Sequence, residues 1–195
     1  MTAAFAILAS GGPAIDQADS QTPDDWIAAL TDVHHPCIRE HVRRLDQLGS
    51  AEGDGEREDG GSCGRDADPQ DPVLVEIRQL VQGLAACVEM QLEKEERVLF
   101  PTLARLRHQT RISRCHAGMV RSLVATSERD MARVRGVLAR LNDLLEERLA
   151  FAPDCRRCRL MDAVAEAMSM ALAGHDELET LLFEWAVSHE GELAR

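Results

Sequence analysis

The chain contains no tyrosine, and only four phenylalanines and two tryptophans among its 195 residues. Aromatic stacking therefore cannot carry a core, and leucine, valine, alanine and methionine must do most of the packing. No stretch approaches the ~20 consecutive apolar residues of a membrane span. The apolar opening, AAFAILA, lacks the basic flank of a secretion signal and reads as a loose tail. Basic residues are outnumbered, 22 against 34 acids, for a formal charge of -12. That balance argues against nucleic acid and anionic membrane surfaces as partners. Six cysteines in a chain of this length do not make a disulfide-dense secreted scaffold, so a cytoplasmic location is expected. What is present is a hydrophobic fraction of 45%, enough for one globular domain and too much for wholesale disorder.

The periodicity is helical throughout. Residues 1–22 are small and polar and are expected to form a flexible tail, and Thr22-Pro23-Asp24-Asp25 offers a helix start with acids in its first turn. A first helix follows to about residue 48, with Ile27, Ile38, Val42 and Leu45 on its core stripe and His35 among them. Pro36 should kink it, since proline removes an amide donor and crowds the preceding turn. Residues 49–72 are rich in Gly, Asp and Glu and read as a flexible loop. The second helix, about 73–106, carries Ile77, Leu80, Leu84, Val88, Gln91, Glu95 and Val98 at spacings of three and four, and Pro101 should bend its last turns. The third, about 111–149, turns Ile112, His116, Met119, Leu123, Met131, Val134, Leu138, Leu141 and Leu145 inward. Pro153-Asp154 breaks the chain before a fourth helix, about 155–187, with Met161, Val164, Met168, Leu172, His175, Glu179 and Leu182 on its stripe. Residues 189–195 are left as a C-terminal tail. Four long helices without a plausible strand predict an all-α, up-down four-helix bundle over 23–188.

The stripes carry an unusual polar set. His175 and Glu179 are one turn apart, and Gln91 and Glu95 repeat that spacing on another helix. Residues at i and i+4 share a face, so each pair can aim two ligand atoms at one point. A lone glutamate on a stripe most often reaches solvent at its edge. Two buried glutamates on neighbouring helices would instead repel unless a cation lay between them. Carboxylates and imidazoles converging in a bundle make the donor set of non-haem iron or manganese, with zinc also able to bind.

The segments VHHPCIREHVRRL, LEKEERVLFPTL, RCHAGMVRSL and LAGHDELETLLF resemble the hemerythrin-like domain, closest to the di-iron proteins of iron-sulfur cluster repair. The resemblance covers about residues 25–187. It implies His35, His116 and His175 as terminal iron ligands and Glu95 and Glu179 as bridging carboxylates. Gln91 stands where the remaining histidine belongs, and its neutral amide is a poor iron ligand. The phenylalanine after Glu179 comes one residue early, Glu184 replaces a usual proline, and a cysteine-bearing N-terminal segment common in cluster-repair proteins is missing. The expectation is therefore one tightly held iron and a second, weaker one. The partners implied are nitric oxide, dioxygen or an iron-sulfur protein.

Two other readings stand beside this one. A degenerate bundle without metal would act as an interaction or regulatory protein, and Gln91 favours it. A thiol-redox protein would centre on Cys155 and Cys158, a C-x-x-C at a helix start among Arg156, Arg157 and Arg159. Cys37, Cys87 and Cys115 read as small core residues, His108 and His189 as solvated, and His34 as a lower-ranked alternative to His35. Arg133, Arg135 and Arg140 read as a wet face.

Overall fold

The computed structural model describes residues 21–50 and 71–193, all helical apart from short turns and caps. The expected N-terminal tail and interhelical loop fall almost wholly outside these residues. The elements are α1 (Pro23–Ala29), a π-helical turn at Leu30–His34, α2 (His35–Ser50), α3 (Pro72–Lys94), a second π turn at Glu95–Leu99, α4 (Phe100–Leu106), α5 (Arg114–Phe151) and α6 (Arg156–Leu193). Since each π turn is continuous with the helices on both sides, they form four rods: α1–α2, α3–α4, α5 and α6. No strand occurs among the described residues. No described helix is long and apolar enough to cross a membrane.

The helix starts follow from local chemistry. Thr22 and Asp25 form a reciprocal capping box ahead of Pro23, as the T-P-D-D stretch predicts. Asp71 accepts from the Val73 amide to open α3, and Ser113 accepts from His116 to open α5. The last helix continues to Leu193, past the boundary at 188 read from the sequence.

The π turns answer to the two prolines. Pro36 and Pro101 each come six residues after the first residue of a π turn, Leu30 or Glu95. A helix-interior proline has no amide to donate and its ring clashes with the carbonyl four residues back, a defect of about 3 kcal/mol. Just before each proline the ladder widens: the His35 amide reaches back five residues to the Leu30 carbonyl, and Phe100 does the same to Glu95. The expected kinks thus take the form of an extra residue per turn. One consequence is a register shift. Leu30 and His35 are both buried although five apart, as are Glu95 and Phe100. Val98, expected inward, is 48% exposed, and Leu99 is buried in its place.

The rods pack around a shared interior, with α2 against α3 and α6, and α5 against α3 and α6, an arrangement consistent with a helical bundle. Two apolar clusters fill it. One gathers Ile38, Leu45, Val88, Leu92, Met131, Leu141, Met168 and Leu172, and the other Leu30, Leu99, Phe100, Val124, Leu182 and Phe183. Each fully buried leucine contributes roughly 1.5–3 kcal/mol of transfer free energy. The wet face lies where the sequence put it, for Arg133, Arg135 and Arg140 are exposed. Arg135 pairs with Asp176 and Arg140 with Glu76, both on neighbouring helices.

Candidate metal centre

Between the two apolar clusters lies one polar layer. On each rod a polar residue separates the two apolar sets: His35 between Leu30 and Ile38, Glu95 between Leu92 and Leu99, Ser127 between Val124 and Met131, and His175 with Glu179 between Leu172 and Leu182. His35, Glu95 and His175 have no solvent exposure, and Gln91, Glu179 and Ser127 are also buried.

Three atoms converge at its centre. His35 Nε2 lies 3.1 Å from Glu95 Oε2, His175 Nε2 lies 3.4 Å from the same oxygen, and the two ring nitrogens are 3.2 Å apart. Glu95 Oε2 has both rings at close range yet hydrogen-bonds to neither. Buried carboxylate oxygens are rarely left in that condition. With metal–ligand bonds of ~2.1 Å, donors subtending 90° to 110° sit about 3.0–3.4 Å apart, which is the triangle observed. The donors therefore fit one transition-metal ion, and His35, Glu95 and His175 form a buried group able to hold it.

The other ring nitrogen of His35 is fixed. Its Nδ1 lies 2.8 Å from Glu96 Oε1, and Arg39 donates to both oxygens of that carboxylate, at 2.8 and 3.3 Å. Arg39 also donates to Glu89 at 3.0 Å. A carboxylate at Nδ1 keeps the proton there and leaves Nε2 with its lone pair facing the centre. The ring is further held by stacking on Phe100 at 5.6 Å. Glu96 and Arg39 were not anticipated from sequence, because both are partly exposed and look like surface charges.

The far side of the layer is linked by hydrogen bonds, though Gln91 Oε1 and His175 Nδ1 have no hydrogen-bond partner. The Gln91 amide donates to Glu95 Oε1 in a very short contact and to Ser127 Oγ at 2.6 Å. The Ser127 hydroxyl lies 3.2 Å from Glu95 Oε1 and 3.3 Å from Glu179 Oε1, and can donate to one of them. Glu179 Oε2 is 3.6 Å from His175 Nδ1. Asp176 adjoins these two in a second group with ligand-like spacing, but the Arg135 guanidinium already pairs with it.

The two carboxylates titrate in opposite directions. Burial works against ionising Glu95, but the His175 and His35 rings outweigh it and hold its carboxyl well below the usual range. Burial pushes Glu179 well above that range, and repulsion from Glu95 and then Asp176 adds to it. A carboxyl raised in the folded state gives stability that is complete below its ordinary pKa. That stability is lost as pH rises through the folded pKa. The metal-free protein should therefore lose stability above the ordinary carboxylate range. Glu179→Gln should raise its midpoint near pH 7 by about 3 °C, as for ~1 kcal/mol in a chain of this size. Thermal melts of metal-free protein check this, and a lower midpoint would contradict the raised Glu179.

Of the six predicted site residues, the structure brings His35, Gln91, Glu95, His175 and Glu179 together. His116 does not join them. It sits in the first turn of α5, half-buried, eleven residues before Ser127, which is about 16 Å along the axis at ~1.5 Å per residue. The buried stripe of α5 runs through Ala117, Val120, Val124, Ser127 and Met131, one residue out of step with the expected His116, Met119 and Leu123; Met119 is 46% exposed. Ser127 is the residue α5 contributes, and its only sequence signal is a small polar residue at core spacing. His34 is half-buried beside the layer, its ring 6.3 Å from that of His175.

The cysteines and remaining histidines are outside the layer. Cys158 Sγ lies 2.8 Å from Cys155 Sγ, and both residues are buried. Burial pushes the Cys158 thiol up despite Arg148 and Arg157, the reverse of the activation expected from its arginine neighbours. Cys115 is exposed rather than in the core, while Cys37 and Cys87 are half-buried. His189 is not simply solvated, since it stacks on Trp185 at 5.2 Å, whereas His108 is exposed.

The chain matches no protein-family model, no curated protein and no solved structure. What the fold and layer define by themselves is a helical protein, without strands among the described residues, that has a buried histidine–glutamate group able to hold a metal ion.

Proposed function

We propose that this chain is a hemerythrin-like, non-haem iron protein holding one metal ion per chain. Its role would be in iron-sulfur cluster repair or in the response to nitric oxide or dioxygen. The convergence of His35 Nε2, His175 Nε2 and Glu95 Oε2, 3.1 to 3.4 Å apart around an oxygen without a hydrogen bond, carries the metal reading. Two imidazoles and one carboxylate with open positions are the donor set of non-haem ferrous iron, while manganese and zinc accept the same donors. An up-down connectivity is supported by the order of the clusters along the rods. The first and third rods pass from the Leu30 cluster to the Ile38 cluster, and the second and fourth pass back.

Bound iron supplies a redox-active Lewis acid with positions left for a small ligand. The protein's own groups do the rest. Glu96, oriented by Arg39, keeps the His35 proton away from the centre. Gln91 and Ser127 hydrogen-bond to Glu95 Oε1 and Glu179 Oε1, which leaves these oxygens less available to a second ion. The apolar clusters on both sides exclude water. The cluster-repair and gas-response roles rest on the resemblance in the helix segments. The Gln91–Ser127 hydrogen bond favours the second reading, a metal-free interaction protein, should no ion bind.

Adding nitric oxide anaerobically to ferrous-loaded protein tests the open position. The optical and electron paramagnetic spectra should change with one equivalent per iron. Unchanged spectra would contradict a gas-binding role.

A further inference from the structure

The four end residues of the two π turns meet. His35 Nε2 is 3.1 Å from Glu95 Oε2, the His35 ring stacks on Phe100 at 5.6 Å, and Leu30 and Phe100 share one apolar cluster. Leu30 and His35 close one turn, and Glu95 and Phe100 close the other, each through a backbone bond spanning five residues. A regular α-helix puts i+3 and i+4 on the face of residue i. His35 lies on the regular stripe of α2 with Ile38, His41 and Leu45, so a regular helix continued back from it would present Thr31 and Asp32 to the interior and turn Leu30 aside. Continuing from Glu95 it would present Val98 and Leu99, and Phe100 would leave the His35 ring. The extra residue in each turn is what brings Leu30 inward on the same side as His35, and Phe100 inward behind the His35 ring. Each turn is followed at once by a proline, the residue that cannot close the next α-type bond.

From this we infer that Pro36 and Pro101 are positioning residues for the metal centre. They hold two facing π turns open, and thereby seat Leu30 and Phe100 together in the apolar cluster against which the His35 ring is held. The inference rests on the metal reading for its purpose, but its geometry is independent of any ion.

The test uses the full chain and the single variants Pro36→Ala and Pro101→Ala. Alanine favours a regular helix, so both variants should fold, with a metal-free melting midpoint equal to or above that of the wild type. Cobalt(II) titration, followed by its visible spectrum, should show at least tenfold weaker binding in each variant. The His35 Nδ1 proton held by Glu96 should appear as a slowly exchanging signal in magnetic resonance of the metal-free wild type and exchange faster in both variants. Variants that bind cobalt as tightly as the wild type and keep that slow exchange would overturn the inference while leaving the metal reading intact. A large fall in midpoint alongside weaker binding would make the prolines merely structural and also overturn it. Wild-type protein that takes no cobalt would remove the metal reading, and the ring-proton comparison would still decide whether the prolines set the His35 geometry.

Discussion

His175→Ala should reduce metal affinity more than 100-fold, whereas His116→Ala should leave it unchanged within error. Loss of a hydrogen-bonding partner behind a ligand typically costs 10–100-fold, and loss of the ligand itself should exceed that. His175 is wholly buried, with Nε2 3.2 Å from His35 Nε2 and 3.4 Å from Glu95 Oε2. Its removal leaves one imidazole and one carboxylate at the centre, too few to outcompete water. His116 begins α5 near its N-terminal cap, remote from the layer. Competition titrations against a coloured chelator give both affinities, with circular dichroism to show that each variant remains helical. Equal losses in the two variants would mean that binding occurs elsewhere or that α5 is placed differently.

Saturating metal should raise the thermal midpoint by about 12 °C, and a chelator should reverse the change. An ion bound only to the folded state at 1,000 times its dissociation constant contributes about 4 kcal/mol, and a chain of this size gains roughly 2–4 °C per kcal/mol. The metal-free layer is costly for a specific reason. Glu95 is held ionised by its imidazoles while Glu179, nearby, resists ionisation. A cation bound at Glu95 Oε2 would offset the repulsion between the two carboxyl groups. A shift of less than 2 °C at saturation would show that the layer is adequately satisfied without an ion, and would favour the interaction-protein reading.

Much of this was legible in the sequence because helical periodicity is strong where large apolar residues mark it. The stripes of α3 and α6 fall on Ile77, Leu84, Val88, Gln91 and Glu95, and on Met161, Met168, Leu172, His175 and Glu179, all buried. Where the core is lined by small residues the pattern fails. At the start of α5, His116, Met119 and Leu123 fit the helical spacing as well as Ala117, Val120 and Val124 do, and they look more like ligand and core. Alanine and serine at 117 and 127 gave hydropathy nothing to weigh. The second failure is one of period. Val98 is inward on a 3.6-residue repeat, but the π turn at Glu95–Leu99 adds a residue and buries Leu99 and Phe100 instead. Pro101 marked the irregularity, though the sequence alone read it as a bend. Glu96 and Arg39 were missed for a third reason. Positioning groups that reach a buried ring from the surface carry the same residue types as an ordinary solvated face.

The same features are the reason one ion, rather than the expected pair, is proposed. Gln91 alone would have left a second ion weakly bound. Ser127 facing it in place of a histidine gives the amide a partner, and together they engage Glu95 Oε1 and Glu179 Oε1. One side of the polar layer is thus joined by hydrogen bonds, although Gln91 Oε1 has no partner, and the other side carries the convergent donors.

The most direct test is anaerobic titration of the full chain with ferrous iron, with metal content measured by elemental analysis after gel filtration. The account predicts one iron retained per chain, lost on His175→Ala. Protein that retains none, or that holds two equally tightly, would contradict it.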